Sequence, residues 1–252
     1  MLTETAGGYA FVAGSDPYSE GVVATAEYEI VHATLAAPMP WLRAFRDITG
    51  FLASHGRPLS ALCGIELRSP EAMSFDGFLQ FNEGYQAVLI EENLLVSRMN
   101  PLARTNVVPD FAAPGEVVMH AFSFTIESKE STPTFVTSGA GELVSNALDR
   151  GSIVRRGETD PAALREKAAY VMETMSARLE RLGVGWGHAT AVDLYTRHDP
   201  GDLVRTEVAP RIGSALRYGV VWYPSSPPVT GLEYEMDVRG VRRELVVDLD
   251  DA

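Results

Sequence analysis

Cysteine is nearly absent from the sequence, and its scarcity excludes two kinds of chemistry. The single cysteine among 252 residues, Cys63, has no partner for an internal disulfide and cannot by itself form a thiolate zinc site. It lies in the apolar run 61–65, which is typical of a buried structural thiol. The five histidines show no metal-ligand spacing. We therefore predict no thiol catalysis, no metal and no cofactor.

Long apolar runs and positive charge are also scarce. No stretch reaches the roughly 18 apolar residues of a membrane span, and residues 1–18 carry no basic segment of a secretion signal. The net charge of -13 at pH 7 argues against an anionic membrane surface or a nucleic-acid backbone as a partner. The sequence thus predicts a soluble, cytoplasmic protein that binds neither nucleic acid nor membranes.

The positive charges that are present are unevenly distributed. Residues 1–127 contain 6 Arg, no Lys and 15 acidic residues, whereas residues 128–252 contain 15 basic and 19 acidic residues. An anionic small molecule can bind such a chain only where particular arginines override the surrounding negative field. Individual arginines are therefore the most informative residues to follow.

The chain divides into two halves with the same order of elements. Hydrophobic residues make up 46% of the chain, enough for a sizeable core, and its length fits one large domain or two small ones. The polar segment 128–134 contains a proline and lies near the midpoint, so we place a boundary between an N-terminal domain, 1–128, and a C-terminal domain, 129–252. Each half shows a strand ending in glycine, an amphipathic helix, a strand, a second helix and a closing strand.

Landmarks in the two halves keep nearly constant spacing. The clearest helix begins at the N-cap Asp160 and ends at Gly183, and the helix that follows Pro40 ends at Gly56. These two glycines lie 127 residues apart, and the glycines that end the first strands, Gly14 and Gly139, lie 125 apart. The agreement predicts a tandem duplication of an α+β domain rather than a doubly wound sheet.

Three motifs in the N-terminal half resemble those of a known family. They are Phe-Asn-Glu-Gly-Tyr at 81–85, Pro-Leu-Ala-Arg-Thr-Asn-Val-Val at 101–108, and a Pro-Gly turn ahead of a strand. With the framework of both halves they resemble the Rid superfamily (YjgF-like, reactive intermediate deaminase), in particular its two-domain 2-aminomuconate deaminases. The resemblance implies a chorismate-mutase-like fold in each half, with a mixed sheet and two helices on one face. It also implies a homotrimer with ligand clefts between neighbouring domains.

The resemblance further implies roles for individual residues. In the deaminating branch of the family an arginine holds the substrate carboxylate, and a glutamate near the start of the last strand helps water attack. In the C-terminal half these positions match Arg217 and Glu235, and the family's Ser-Gly pair matches Ser138 and Gly139. We expect these four residues to form the chemical centre.

The N-terminal half departs from the family pattern. Arg104 matches its arginine, but Met119 stands where the family has glutamate and Ala13 where it has serine. Neither side chain can transfer a proton. We therefore expect Arg104 to serve as an accessory carboxylate clamp, and His120 is an alternative acid or base in that half.

The resemblance implies hydrolytic deamination of an enamine or imine of a carboxylic acid, such as 2-aminomuconate, to ammonia and a 2-oxo acid. In this reaction Arg217 fixes a carboxylate and Glu235 activates water, and a dicarboxylate would use more than one arginine. An alternative from another class is a non-catalytic protein that binds small anionic metabolites. The residues themselves also allow structural roles, with Arg217 in an ion pair and Glu235 on a solvated acidic face. An isomerase or lyase acting on a chorismate-like acid follows only from analogy of fold.

Overall fold

Thirteen strands hydrogen-bond into one mixed sheet in the computed structural model, which describes residues 1–15, 17–144 and 150–249. The strands are β1 (Leu2–Glu4), β2 (Tyr9–Val12), β3 (Gly21–Ala24), β4 (Tyr28–Pro40), β5 (Leu62–Arg68), β6 (Ala103–Pro109), β7 (Val118–Glu127), β8 (Phe135–Thr137), β9 (Ala140–Gly141), β10 (Ala191–Thr196), β11 (Val221–Ser226), β12 (Glu235–Gly240) and β13 (Arg243–Val247).

Helices follow the strands in both halves. The α-helices are α1 (Trp41–Ser54), α2 (Phe75–Glu91), α3 (Pro161–Arg181), α4 (Gly201–Leu203) and α5 (Ala209–Ile212); a π turn, Val204–Val208, joins the last two, and a 3-10 helix, Gly213–Tyr218, follows them. Within the described ranges, none of these helices is both long enough and apolar enough to cross a membrane.

The two halves have the same strand order. The first half is ordered β4-β7-β5-β6 and the second β8-β12-β10-β11, and the two series join where β11 pairs with β6 at Ser225–Pro109 and Ser226–Val108. In the first half α1 and α2 bury their apolar stripes against alternate residues of β4, β5 and β7, so both lie on one face of the sheet. The predicted α+β class with a mixed sheet is confirmed. A tandem duplication would produce this repeated order, and the duplication itself stays a prediction.

Strands at both chain ends pair with the opposite half. The hairpin of β1 and β2 continues into β3, and β3 pairs with β8 of the second half. At the other end β13 runs parallel to β4 of the first half. With the pairing of β6 and β11, the sheet therefore crosses the predicted boundary between 128 and 129 three times, and that boundary stays a prediction from sequence.

One of the sequence landmarks is wrong. Gly14 follows β2, which belongs to the terminal hairpin, whereas the strand that occupies the place of β8 in the first half is β4, beside β7. A short apolar strand ending in glycine looks the same in either place, and only the pairing distinguishes them. The helix-ending landmarks are confirmed, because Gly56 and Gly183 adopt φ values of 67° and 73°, the left-handed conformation that ends a helix.

A buried ion pair fixes the start of β12. The carboxylate of Glu142 accepts the backbone N–H of Glu233 at 2.7 Å and of Tyr234 at 3.1 Å. Lys167 on α3 donates to Glu142 at 3.1 Å and to the carbonyl of Val154 at 2.7 Å, and both charged side chains are fully buried. The pair thus ties α3 to the chain immediately before residue 235.

We expect Lys167→Met to lower the free energy of unfolding by about 3–5 kcal/mol, because it leaves the Glu142 carboxylate buried without its cation. Urea unfolding monitored by circular dichroism measures the change. Arg205→Met removes an exposed ion pair with Asp202 and provides the control, with an expected loss below about 1 kcal/mol. Equal losses in the two variants would show that the buried pair contributes no more than a surface one.

Candidate active site

A cleft lies where the two halves meet. One side is polar and comes from both halves, with Arg104 and Asn106 of β6 facing Gly139 and Glu235. The remaining lining residues are Tyr18, Phe78, Gly141, Leu143, Pro228, Val229 and Leu232. Backbone hydrogen bonds between Met73 and residues 228 and 230 hold the apolar wall against the start of α2. The site is therefore a composite of both halves.

Arg104 presents an unpaired guanidinium nitrogen to this cleft. Its side chain is 3% exposed, Nη2 donates to Asn82 Oδ1 at 2.7 Å, and Nη1 has no hydrogen-bond partner in the described part of the chain. The guanidinium carbon lies 4.7 Å from the ring centroid of Tyr85 and 5.0 Å from that of Tyr18. Aromatic faces stabilise the cation but leave its hydrogen-bonding capacity for a ligand. A carboxylate is the anion that this planar fork fits best.

Glu235 is the carboxyl group of the cleft. It is 5% exposed, and burial, followed by the nearby carboxyl groups of Asp237 and Glu142, raises its pKa to about 8, against the lowering effect of Arg178 and Arg104. Glu235 therefore holds a proton at neutral pH and can give it up within the physiological range. Such a group can act as a general acid and then as a general base.

Glycine at 139 makes room for this carboxyl group. A Cβ atom at this position would overlap Glu235 Oε1, closer than any non-bonded contact allows. The backbone N–H of Gly139 donates to the carbonyl of Arg104 at 3.1 Å. The glycine thus brings the backbone of β6 and the side chain of Glu235 together across the junction of the halves.

Ser138 supports the site from outside the cleft. Its hydroxyl accepts the backbone N–H of Arg104 at 2.9 Å and donates to the carbonyl of Ser19 at 2.5 Å, and the residue is fully buried. Both hydrogen-bonding directions of the hydroxyl are therefore used within the chain. The sequence predicted substrate binding for Ser138, whereas the structure gives its hydroxyl a role in positioning the start of β6.

Arg217 does not share the cleft with Glu235. It is exposed on the 3-10 helix before β11, with its guanidinium carbon 4.7 Å from the ring centroid of Tyr218, and it forms no ion pair within the described ranges. The expected pairing of Arg217 with Glu235 is therefore corrected: the arginine beside Glu235 is Arg104 of the other half. The reason is that Gly139, which follows β8, donates to the backbone carbonyl of Arg104 on β6, whereas Arg217 lies on the 3-10 helix before β11.

Among the described residues, the first half contributes no carboxyl group and no imidazole to the lining of the cleft. Met119 is fully buried in the apolar core of its half. His120 is not among the lining residues, and burial lowers its pKa to about 4. No group of three or more His, Cys, Asp or Glu side chains within 1–15, 17–144 and 150–249 is arranged to hold a metal ion.

A second carboxyl group lies behind Glu235 on the same strand. Asp237 is buried, and its Oδ2 accepts hydrogen bonds from Thr105 Oγ1 at 2.6 Å and Tyr195 Oη at 3.0 Å. Burial, followed by the charges of Asp193 and Glu66, raises the pKa of Asp237. Two buried carboxyl groups two residues apart disfavour simultaneous ionisation, which helps to keep Glu235 protonated.

Sequence reasoning missed several residues of the site. Arg178 of α3 is 2% exposed and donates to the carbonyls of Ser138 at 2.7 Å and Gly139 at 3.3 Å. Arg178 follows Val171 by seven residues and Met175 by three, so it lies on the buried face of α3, and a charged residue within this apolar stripe was a signal that could have identified it. Asn82 lies inside the motif at 81–85 that carried the family resemblance, and that motif could have identified it.

The structure defines an α+β protein in which a buried arginine and a buried glutamate line a cleft at the junction of the two halves. A chorismatase crystal structure matches 91% of this chain and 79% of its own, with a TM-score of 0.53 and 15% identity, and thus shares the fold. The E. coli YjgF gene product matches 44% of the chain and 81% of its own, with a TM-score of 0.27 and 16% identity.

The chain belongs to the 2-aminomuconate deaminase CnbZ family, whose model matches residues 1–245. It is 39% identical over 244 residues to a 2-amino-5-chloromuconate deaminase from Comamonas testosteroni, and the match covers 96% of each chain. The resemblance found in the motifs of the sequence is therefore confirmed.

We expect the stability of the protein to depend on pH through Glu235. The pKa of Glu235 is raised from 4.5 to about 8 on folding, so the stabilising effect of its proton is complete below about pH 4.5 and is lost as the pH rises towards 8. In Glu235→Gln the side chain at this position cannot ionise, so the variant does not lose this stability as the pH rises. The free energy of unfolding of the variant relative to wild type should therefore increase by a few kcal/mol between pH 5 and 8.5, measured by urea unfolding. Parallel stability curves would contradict the raised pKa.

Proposed function

We propose that the protein is a hydrolytic deaminase of 2-aminomuconate-type acids, releasing ammonia and a 2-oxo acid. One observation carries the proposal: a buried arginine with a free nitrogen and a buried glutamate with a raised pKa line the same cleft. The first suits a carboxylate and the second suits proton transfer. The names of the family and of the Comamonas relative support the substrate class.

The reaction is proposed to start with carboxylate binding at Arg104. The guanidinium holds the C1 carboxylate and so places C2 of the substrate in the cleft. Protonation of the enamine carbon gives the iminium ion, in which C2 is electrophilic. Glu235, protonated at neutral pH, is positioned to supply this proton and becomes a carboxylate in doing so.

Water then adds to C2 in the proposed second stage. The Glu235 carboxylate accepts a proton from the water as its oxygen bonds to C2, and the iminium nitrogen becomes an amine. Glu235 returns that proton to the amine, the C–N bond breaks, and ammonia leaves with the bonding electron pair. The hydroxyl proton passes to the Glu235 carboxylate as C2 becomes a carbonyl, which restores the protonated Glu235. One water is consumed and one ammonia is released for each 2-oxo acid formed.

Ammonia release from 2-aminomuconate tests the proposal. Wild type should release one ammonia per substrate, and Glu235→Gln should lower kcat on the order of 10²- to 10⁴-fold while still binding substrate. A binding protein without activity would saturate with 2-aminomuconate and release no ammonia above the uncatalysed rate. That outcome would replace the deaminase with the non-catalytic alternative.

Replacing each arginine with lysine distinguishes the role of Arg104 from that of Arg217. Arg104→Lys should lower kcat/KM by about 10- to 100-fold, because a point charge in the aromatic cage cannot reproduce the guanidinium fork. Arg217→Lys should leave kcat/KM within about twofold, because Arg217 lies outside the cleft. Steady-state ammonia release measures both. The reverse order of effects would move the carboxylate site to Arg217.

Gly139→Ala tests the close approach of backbone and carboxyl group. The new methyl group would displace Glu235 Oε1, so kcat should fall at least about tenfold while the fold is kept. Gly141→Ala is the matched control, since a Cβ atom there meets Leu232 Cδ1 at 3.2 Å, the end of a flexible side chain, and the carbonyl oxygen of Tyr234 at an ordinary contact distance of 3.5 Å. Equal kcat values in the two variants would show that catalysis does not depend on this placement of the Glu235 carboxyl group.

We further propose that the chain assembles as a homotrimer. Support comes from four exposed apolar side chains around Arg217, namely Leu216, Tyr218, Val221 and Trp222, which a second copy of the chain would cover. Light scattering at micromolar concentration should give three times the mass of the chain. A monomer mass would contradict the proposal.

A further inference from the structure

Asn106 keeps a buried hydrogen-bond donor without an acceptor. The residue is 3% exposed and lines the cleft, and its Nδ2 atom has no hydrogen-bond partner in the described part of the chain. Its Oδ1 atom accepts a hydrogen bond from Ser69 Oγ at 3.0 Å, which fixes the amide with Nδ2 as the free end. An unsatisfied buried donor costs about 1–3 kcal/mol, and a ligand acceptor in the cleft would remove that cost.

Asn106 and Arg104 both line the cleft, and each has one buried donor nitrogen without a partner in the described chain. They are two residues apart on β6 and so lie on the same face, separated by about 6.6 Å along the strand. Arg104 reaches to Asn82 on α2, whereas Asn106 is held by Ser69, which follows β5. A ligand that meets both donors therefore needs acceptor oxygens at both of its ends. An extended six-carbon dicarboxylate has its two carboxyl carbons at a comparable separation.

No second arginine is available for such a ligand in the described cleft. Arg104 is the one basic residue among its lining residues, and the wall opposite is formed by apolar side chains such as Phe78, Leu143, Val229 and Leu232. The expectation that a dicarboxylate uses more than one arginine is therefore not met within a single chain. Of the side-chain donors in the described lining besides Arg104, namely Tyr18, Asn106 and the protonated Glu235, the amide of Asn106 is the one that is buried on the same strand as Arg104 without an acceptor.

We propose that Asn106 binds the distal carboxylate of the substrate and selects dicarboxylic over monocarboxylic enamines. This inference rests on the proposed function, because it assigns the far end of the same substrate whose C1 carboxylate Arg104 holds. Ser69 is then a positioning residue, which keeps the amide nitrogen directed into the cleft.

Two unreactive ligands that differ only at the distal end test the proposal. trans,trans-Muconate and sorbate share the same extended six-carbon diene chain, and sorbate has a methyl group in place of the second carboxylate. By isothermal titration calorimetry, Asn106→Leu should weaken muconate binding about tenfold or more and change sorbate binding less than about twofold. Ser69→Ala should shift the muconate-to-sorbate ratio in the same direction by a smaller factor. Val229→Ala is the control and should change both affinities by the same factor.

The outcomes separate this inference from the proposed function. An equal loss for muconate and sorbate in Asn106→Leu, or no loss for either, would overturn the distal-carboxylate assignment, even where wild type releases ammonia from 2-aminomuconate. Wild type that releases no ammonia and does not bind muconate would overturn both. If Asn106→Leu does not fold by circular dichroism, Ser69→Ala decides, and an unchanged muconate-to-sorbate ratio in that variant overturns the assignment.

Discussion

The structure depends on keeping one positive charge out of water without giving it a permanent counter-ion. Arg104 is buried among aromatic rings at the seam of the two halves, and one of its nitrogens is left without a partner in the described chain. Such a group is costly to bury, and rings and a single amide oxygen offset only part of that cost. An arriving carboxylate supplies the missing interaction. Ligand binding and the stability of the seam are therefore linked.

Several buried contacts hold the opposing carboxyl group in place. Glu142 and Lys167 fix the backbone just before Glu235, while Arg178 fixes the carbonyls of Ser138 and Gly139. These contacts all come from the second half, whereas Arg104 comes from the first. Because β6 and β11 pair across the junction, the two sets are held in one rigid arrangement. Rigid support of this kind positions reacting groups before the substrate arrives.

Local features of the fold could be predicted from the sequence, and non-local ones could not. The N-cap Asp160 and the helix-ending Gly56 and Gly183 act through neighbouring residues, so the local sequence was sufficient to predict these helix ends. Arg104, Gly139 and Glu235 could each be singled out from motifs, but their meeting depends on the pairing of strands from different halves. The expectation for Arg217 was wrong for the same reason. Its motif matches the family, but whether the residue reaches the cleft depends on the path of the chain, and the 3-10 helix that contains Arg217 lies outside the cleft. The exchange of β3 and β13 between the halves also has no local signal.

A crystal structure of Glu235→Gln with bound 2-aminomuconate tests the composite site most directly. We predict one ligand per chain in the cleft between the halves, with a carboxylate on the free nitrogen of Arg104 and C2 facing residue 235. A ligand bound by Arg217, with the cleft between the halves of the same chain empty, would contradict the composite site.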